Sequence, residues 1–170
     1  MTVAGIAGVV LSQPEVHADD RGRLVELFHA SGYPERFVQA NHSRSRRNVL
    51  RGLHYHRRQA DLWYVVSGRA RVGLADLRVQ EERSLVQTLV LDGEEPAALY
   101  IPPGVAHGLL ALTDVDLIYW VSEEYDGTDE FGLAWNDPTL AVPWGIDQPI
   151  LSRRDRENPG LRWDAIPSFS

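Results

Sequence analysis

The residues of this chain best suited to chemistry are concentrated in Asn48-Val-Leu-Arg-Gly-Leu-His-Tyr-His-Arg-Arg-Gln-Ala-Asp-Leu-Trp-Tyr-Val-Val-Ser-Gly68. Arg51, His54 and His56 sit on an apolar and polar alternation. In a β-strand, residues two apart point to the same side, so His54 and His56 share a face. A short polar link leads to a strand over residues 62–66 that ends at Gly68, and Asp61 stands at its mouth, where a hairpin would bring it beside the histidines. Pro102-Pro-Gly-Val-Ala-His107 is a turn that delivers a third histidine at the start of a strand. Three imidazoles and a carboxylate from two neighbouring hairpins suit proton transfer, for which an imidazole of ordinary pKa near 6.5 is well matched at neutral pH. They equally suit a divalent metal.

The bulk composition narrows the classes. At 170 residues the chain has the size of one domain with a substantial core. Its 44% hydrophobic and 24% charged residues are those of a globular protein. No run approaches the roughly 20 apolar residues needed to cross a bilayer. The N-terminus lacks the pattern of a signal peptide. The absence of cysteine fits a reducing, cytoplasmic setting. A net charge of −7 argues against nucleic acid as partner. The chain contains no lysine, so a Schiff base or a lysine acid–base is excluded, while arginines remain to clamp phosphate oxygens.

The elements that must position these residues are short strands. The patterning predicts strands over 5–11, 15–18 and 23–28, the last two joined by Asp19-Asp20-Arg21-Gly22. Residues 30–35 read as a loop or one helical turn. Strands follow over 37–43, 62–66, 69–77 (with one wet face), 84–91, 98–101, 107–112 and 116–122. A basic knot lies at 44–47 and a charged turn at 79–83. Many short strands with frequent turn signals predict an all-β sandwich or barrel, with a ligand held in the barrel mouth. Beyond Tyr125 come a loop over 126–130, aromatic turns at Trp135 and Trp144, and one helical turn over 152–158, with Ser152 as cap and Asp155 in capping-box position. The tail over 160–170 has no period and reads as running over the surface or a partner.

Several pieces in one order carry a resemblance: Asp20-Arg21-Gly22, Gln39-Ala-Asn41-His-Ser43-Arg-Ser45, Leu50-Arg-Gly-Leu-His54-Tyr, Ile101-Pro-Pro-Gly-Val-Ala-His107-Gly, Leu117-Ile-Tyr119, Trp135-Asn-Asp-Pro138 and Pro149-Ile-Leu-Ser-Arg-Arg-Asp155. From about residue 16 to 159 the chain resembles the dTDP-4-dehydrorhamnose 3,5-epimerase family. That resemblance implies a cupin fold (a double-stranded β-helix, or jelly-roll barrel) over residues 1–170 with a short C-terminal arm from 151. It also implies a homodimer with the N-terminal strands, within residues 1–47, at the interface. The substrate it implies is a nucleotide-linked 4-keto-6-deoxy sugar, epimerised at C3, C5 or both through an enolate. His54 would be the base, Asp155 its orienting partner and Tyr119 the acid. Arg21, Glu26, Gln39, Asn41, Arg51 and His107 match substrate-lining positions, and Tyr125 matches an aromatic that stacks on the base. The resemblance calls for no cofactor.

Two positions depart from the family. Asp61 stands where the family has a lysine that steadies the enolate, and His56 replaces the usual glutamine. With His54 and His107 they follow the metal-binding cupin pattern, with Asp in place of Glu. A second reading is therefore a metal-dependent cupin (an isomerase, cyclase or oxygenase) with His54, His56, Asp61 and His107 on Fe, Mn, Ni or Zn. His54 cannot be both ligand and free base. A third reading is a sugar-nucleotide-binding cupin without catalysis. The bland account of the departures pairs Asp61 with Arg57 or Arg58 and leaves His56 as a core or substrate contact. Arg44, Arg46, Arg47, Arg57 and Arg58 are candidates for a diphosphate contact.

Overall fold

The computed structural model describes residues 5–79, 85–125 and 127–169. Twelve strands and one short α-helix are present among them. The predicted turn over 79–83 and the start of the strand at Ser84 lie almost wholly outside the described residues, as does Asp126.

From β4 (Gln39–Ser45) onward the chain passes between two facing five-stranded antiparallel sheets. β4, β6 (Asp61–Ser67), β9 (Ala98–Ile101) and β11 (Val115–Val121) enter the first sheet, whose order is β1-β9-β6-β11-β4 with β1 (Val10–Ser12) at one edge. β5 (Leu50–Tyr55), β7 (Arg69–Asp76), β8 (Val86–Asp92) and β10 (Val105–Ala111) form the second, closed at its edge by β12 (Phe131–Gly132) in the order β12-β5-β10-β7-β8. Crossing from one sheet to the other at every connection except the β7–β8 hairpin, the strands produce a jelly roll. β5 and β6 are consequently not a hairpin. They face each other across the interior, and Asp61 reaches the histidines from the opposite wall.

Period-two patterning explains which residues fill the sandwich. In β6, Trp63 and Val65 join the inter-sheet core with Val72 and Leu74 of β7, Leu109 of β10 and Leu117 of β11. The alternate residues of β6, Leu62 among them, face outward under an apolar cover: Phe28, Tyr33, Phe37 and Trp120 pack there with Tyr100. Tyr100 gives its hydroxyl hydrogen to Glu35 at 2.6 Å.

The outer face of β7, expected to be wet, is covered. Val142 and Trp144 lie on it, and the Arg71 guanidinium donates to the Trp144 carbonyl oxygen. Gly73 makes the slot for this ring, because a Cβ there would sit 2.6 Å from the Trp144 indole. The C-terminal tail packs on the same body: Ile166 is buried, and Phe169 packs edge-on against Tyr55. No helix among the described residues is long and apolar enough to cross a membrane.

The N-terminal prediction holds in part. The strand expected over 5–11 shrinks to Val10–Ser12, with turns before it. β2 (Glu15–Asp19) and β3 (Gly22–Glu26) form a two-stranded sheet joined to neither large sheet. Residues 30–32 make one 3-10 turn.

Trp144 closes the second sheet, donates its indole N–H to the Trp135 carbonyl at 2.8 Å, and is 2% exposed. Trp144→Ala should destabilise the fold by about 3–5 kcal/mol, as buried aromatic truncations do. A chemical denaturation midpoint close to that of the wild type would refute this account of the covered face.

Candidate active site

A cavity of about 550 Å³ opens between the sheets, and most of the predicted site residues line it. The second sheet supplies Arg51, His54 and His107, the first supplies Gln39, Asn41, Asp61, Trp63 and Tyr119, and the rim carries Tyr125. Strict alternation would set Arg51 and His54 on opposite faces of β5. A bulge prevents this. His107 pairs with His54 and Leu109 with Arg51, so β5 spends one more residue than β10 over this interval. Such a bulge re-aims side chains, and here it turns both Arg51 and His54 into the cavity. Gly52 makes the irregularity feasible. Its φ is +125°, and a Cβ would fall 2.6 Å from the Cα of Gly108.

His54 is held by one strong contact. Its Nε2 donates to Asp155 Oδ1 at 2.7 Å, across 101 residues of sequence. Asp155 lies on α1 (Arg153–Glu157), where Ser152 caps the helix by accepting from the Asp155 backbone N–H. The Ser152 hydroxyl also donates to Asp155 Oδ2 at 2.9 Å. The Asp155 carboxylate thus spends its two oxygens on His54 and Ser152. Burial raises its pKa, but the hydrogen bond and charge of His54, with the Ser152 hydroxyl and Arg154, outweigh this and hold it below the usual carboxylate range. Donating Nε2–H leaves the imidazole lone pair on Nδ1, the state a base requires.

Tyr119 is half-buried on β11, opposite Trp63 and Asn41 in register. Burial, then the charges of Asp61 and Glu130, raise its pKa, against a smaller lowering by Arg51. The phenol therefore keeps its proton through neutral pH. Gln39 Nε2 donates to Asn41 Oδ1 at 2.8 Å, and Arg51 is set by Ser45 Oγ at 2.9 Å and the Arg44 carbonyl. Tyr125 is 70% exposed at the rim, with its face available for stacking.

The remaining candidates form a second group. His56 Nε2 lies 3.7 Å from Asp61 Oδ2, and the His56 and His107 rings are 5.5 Å apart. Trp63 stands edge-on to His107 at 5.2 Å and gives its indole N–H to Asp61 at 3.4 Å. Burial is the main cause that pushes the His107 pKa down, to about 4, so its ring is neutral. Asp61 pairs with neither Arg57 nor Arg58. Their backbone N–H groups, with that of Gln59, instead bind the Asp129 carboxylate at 2.8–3.1 Å.

Some candidates fall elsewhere. Arg21 pairs with Asp19 and Glu26 with His17 and His29, all on or beside the β2–β3 hairpin and away from this cavity. Of the arginines considered for a diphosphate, Arg58 lines the cavity, whereas Arg44, Arg46, Arg47 and Arg57 do not. His54 stands apart from the cluster formed by His56, Asp61 and His107, contrary to a four-ligand set. Sequence reasoning missed Gln59, Trp63, Asp129 and Glu130. Trp63 had a local signal, since it lies two residues from Asp61 on one strand. Asp129 had none, because its partners are about 70 positions away.

Fold and site together define a cupin jelly roll whose cavity holds a carboxylate-oriented histidine and a strand tyrosine. A family model described as dTDP-4-dehydrorhamnose 3,5-epimerase matches residues 4–162, and the chain belongs to that family. It is 38% identical over 170 residues to a dTDP-4-dehydrorhamnose 3,5-epimerase of Pseudomonas aeruginosa, covering 92% of each chain. It is 36% identical to a dTDP-4-dehydrorhamnose 3-epimerase of Streptomyces niveus, covering 90% of this chain and 79% of that one. Among solved structures, the Legionella pneumophila dTDP-6-deoxy-D-glucose-3,5-epimerase in complex with dTDP-4-keto-L-rhamnose superposes with a TM-score of 0.89. That match has 30% identity and covers 99% and 97% of the two chains.

The depressed Asp155 pKa has a stability consequence with a definite sign. A lowered folded-state pKa stabilises at pH above the unfolded value, and that contribution is lost as pH falls through the folded value. Wild-type protein should therefore lose stability below the ordinary carboxylate range, and Asp155→Asn should lack this component. Parallel acid-denaturation curves for the two proteins would contradict the assignment.

Proposed function

We propose that the chain is a nucleotide-sugar epimerase that inverts C3, C5 or both of a dTDP-linked 4-keto-6-deoxyhexose. The observation that carries this reading is the 2.7 Å contact between His54 and Asp155 inside a cavity that also holds a protonated Tyr119. The C4 ketone acidifies the neighbouring C–H bonds. His54 Nδ1 takes such a proton, and the imidazolium that forms is stabilised by the buried Asp155 carboxylate. The electron pair moves onto the ketone oxygen as an enolate, and Tyr119 returns a proton to carbon from the opposite face. Tyr125 stacks on the nucleotide base, while Gln39, Asn41 and Arg51 bind the sugar and its diphosphate.

The protein acts as a cytoplasmic homodimer in this reading. What supports the dimer is the β2–β3 hairpin, which leaves Val16 43% and Leu24 60% exposed and joins neither sheet. A two-stranded hairpin is marginal alone, and a second copy supplies cover. Arg21 and Glu26 would then serve the partner's cavity.

The test uses the dTDP-4-keto-6-deoxyglucose substrate in deuterated water. Wild-type protein should incorporate deuterium at C3 or C5, and His54→Asn should abolish it. Tyr119→Phe should lower kcat by about 10²–10⁴-fold, the usual worth of a general acid, with little change in KM. Exchange retained in His54→Asn would remove His54 from the role of base.

A further inference from the structure

We propose that His56, Asp61 and His107 form a binding site for one first-row divalent transition-metal ion, separate from the His54–Asp155 pair in the same cavity. The ligand atoms of the three lie within 4.8 Å of one another, and all three side chains are buried. His56 Nε2 and Asp61 Oδ2 are 3.7 Å apart, a separation that two ligands each about 2.1 Å from one ion can span.

The tautomers are set for this task. His56 Nδ1 donates to the Asp129 carbonyl at 2.6 Å, and His107 Nδ1 donates to the Val105 carbonyl at 3.0 Å. Both rings therefore carry their lone pair on Nε2. A ligating histidine ordinarily has its other ring N–H tied to a carbonyl or carboxylate in this way. Asp61 is 3% exposed, yet its hydrogen-bond donors among the described residues are neutral: the Trp63 indole N–H and the Gln59 amide. A carboxylate buried without a cationic partner is costly. Two imidazoles and one carboxylate with open positions toward a cavity are a donor set that first-row divalent ions accept.

Gln59 marks the position of the ion. Its Nε2 lies 3.1 Å from Asp61 Oδ2 and 3.2 Å from His56 Nε2, so the amide bridges the two acceptors that a cation would take. Binding requires this side chain to swing aside, and it stands at the cavity wall with room to do so. His54 is outside the ligand set because it is not among the ligand atoms that gather within 4.8 Å of one another, although its Nδ1 lone pair is free. The conflict between base and ligand is thereby removed. A divalent ion here supplies a Lewis acid facing the cavity. Polarisation of a sugar ketone by it rests on the epimerase reading, whereas binding itself does not.

The experiment is a Co²⁺ titration of tag-free, chelator-treated protein, following the visible d–d absorption and the metal content after gel filtration. The expected result is one ion per chain, a rise in Tm, competition by Zn²⁺, and histidine ring NMR signals of His56 and His107 that shift with Zn²⁺ while those of His54 do not. His107→Ala and Asp61→Asn should lose the absorption, and His54→Asn should keep it. Gln59→Ala should bind Co²⁺ no more weakly than wild type. No bound Co²⁺ in the wild type, or perturbation of His54 in place of His56 and His107, overturns the site even if a buried-site variant fails to fold. Metal binding without deuterium exchange in the loaded wild type would retain the site and sink the epimerase reading instead.

Discussion

The contact between His54 and Asp155 is the constraint around which the site is arranged. Its two residues are 101 positions apart, on a strand of the second sheet and on a helix of five residues. A helix that short does not persist by itself. It is held by the Ser152 cap, and its position follows from the segment that returns over β5, where the Leu50 backbone N–H donates to the Ile150 carbonyl and the Asn48 carbonyl accepts from Ile150. The proton-transfer apparatus is therefore as well placed as the packing of residues 131–166 over the second sheet. Trp144 belongs to the chemistry in that indirect sense, although it never approaches the cavity.

The site separates its charges by distance and by donor type. His54 receives a buried carboxylate as partner, and Asp61 receives neutral hydrogen-bond donors among the described residues, although both stand in one cavity. Tyr119 feels Asp61 and Glu130 against Arg51, and burial reinforces the acidic neighbours in keeping the phenol protonated. Two carboxylates with opposite surroundings thus serve one imidazole as orienter and one phenol as electrostatic guard.

Much of this arrangement was legible in the sequence. The period-two segments, the Ser152 cap and the order of short motifs pointed to a jelly roll with His54, Tyr119 and Asp155 in one place. What failed did so for geometric reasons. The jelly roll sends β5 and β6 to opposite sheets, so nearness along the chain misled the placement of Asp61 relative to β5. The bulge at Gly52 reverses the facing of Arg51, and a strand pattern with period two carries no sign of it. The face of β7 read as wet because Arg71 and Gly73 look polar or bare, yet the glycine is a receptacle for Trp144. The role of Asp129 depends on partners about 70 residues away, beyond any local pattern.

Asp129 also links parts of the cavity that are usually thought of apart. Its carboxylate fastens three consecutive peptide N–H groups at residues 57–59, and its own carbonyl fixes the His56 ring. Asp129 thereby ties the rim to the floor beneath it. Grafting a different rim loop from a relative would therefore be a change of floor as well: a replacement lacking this carboxylate would release the peptide groups at 57–59, and one that moved the backbone carbonyl would unset the tautomer of a histidine seventy-three positions earlier in the chain.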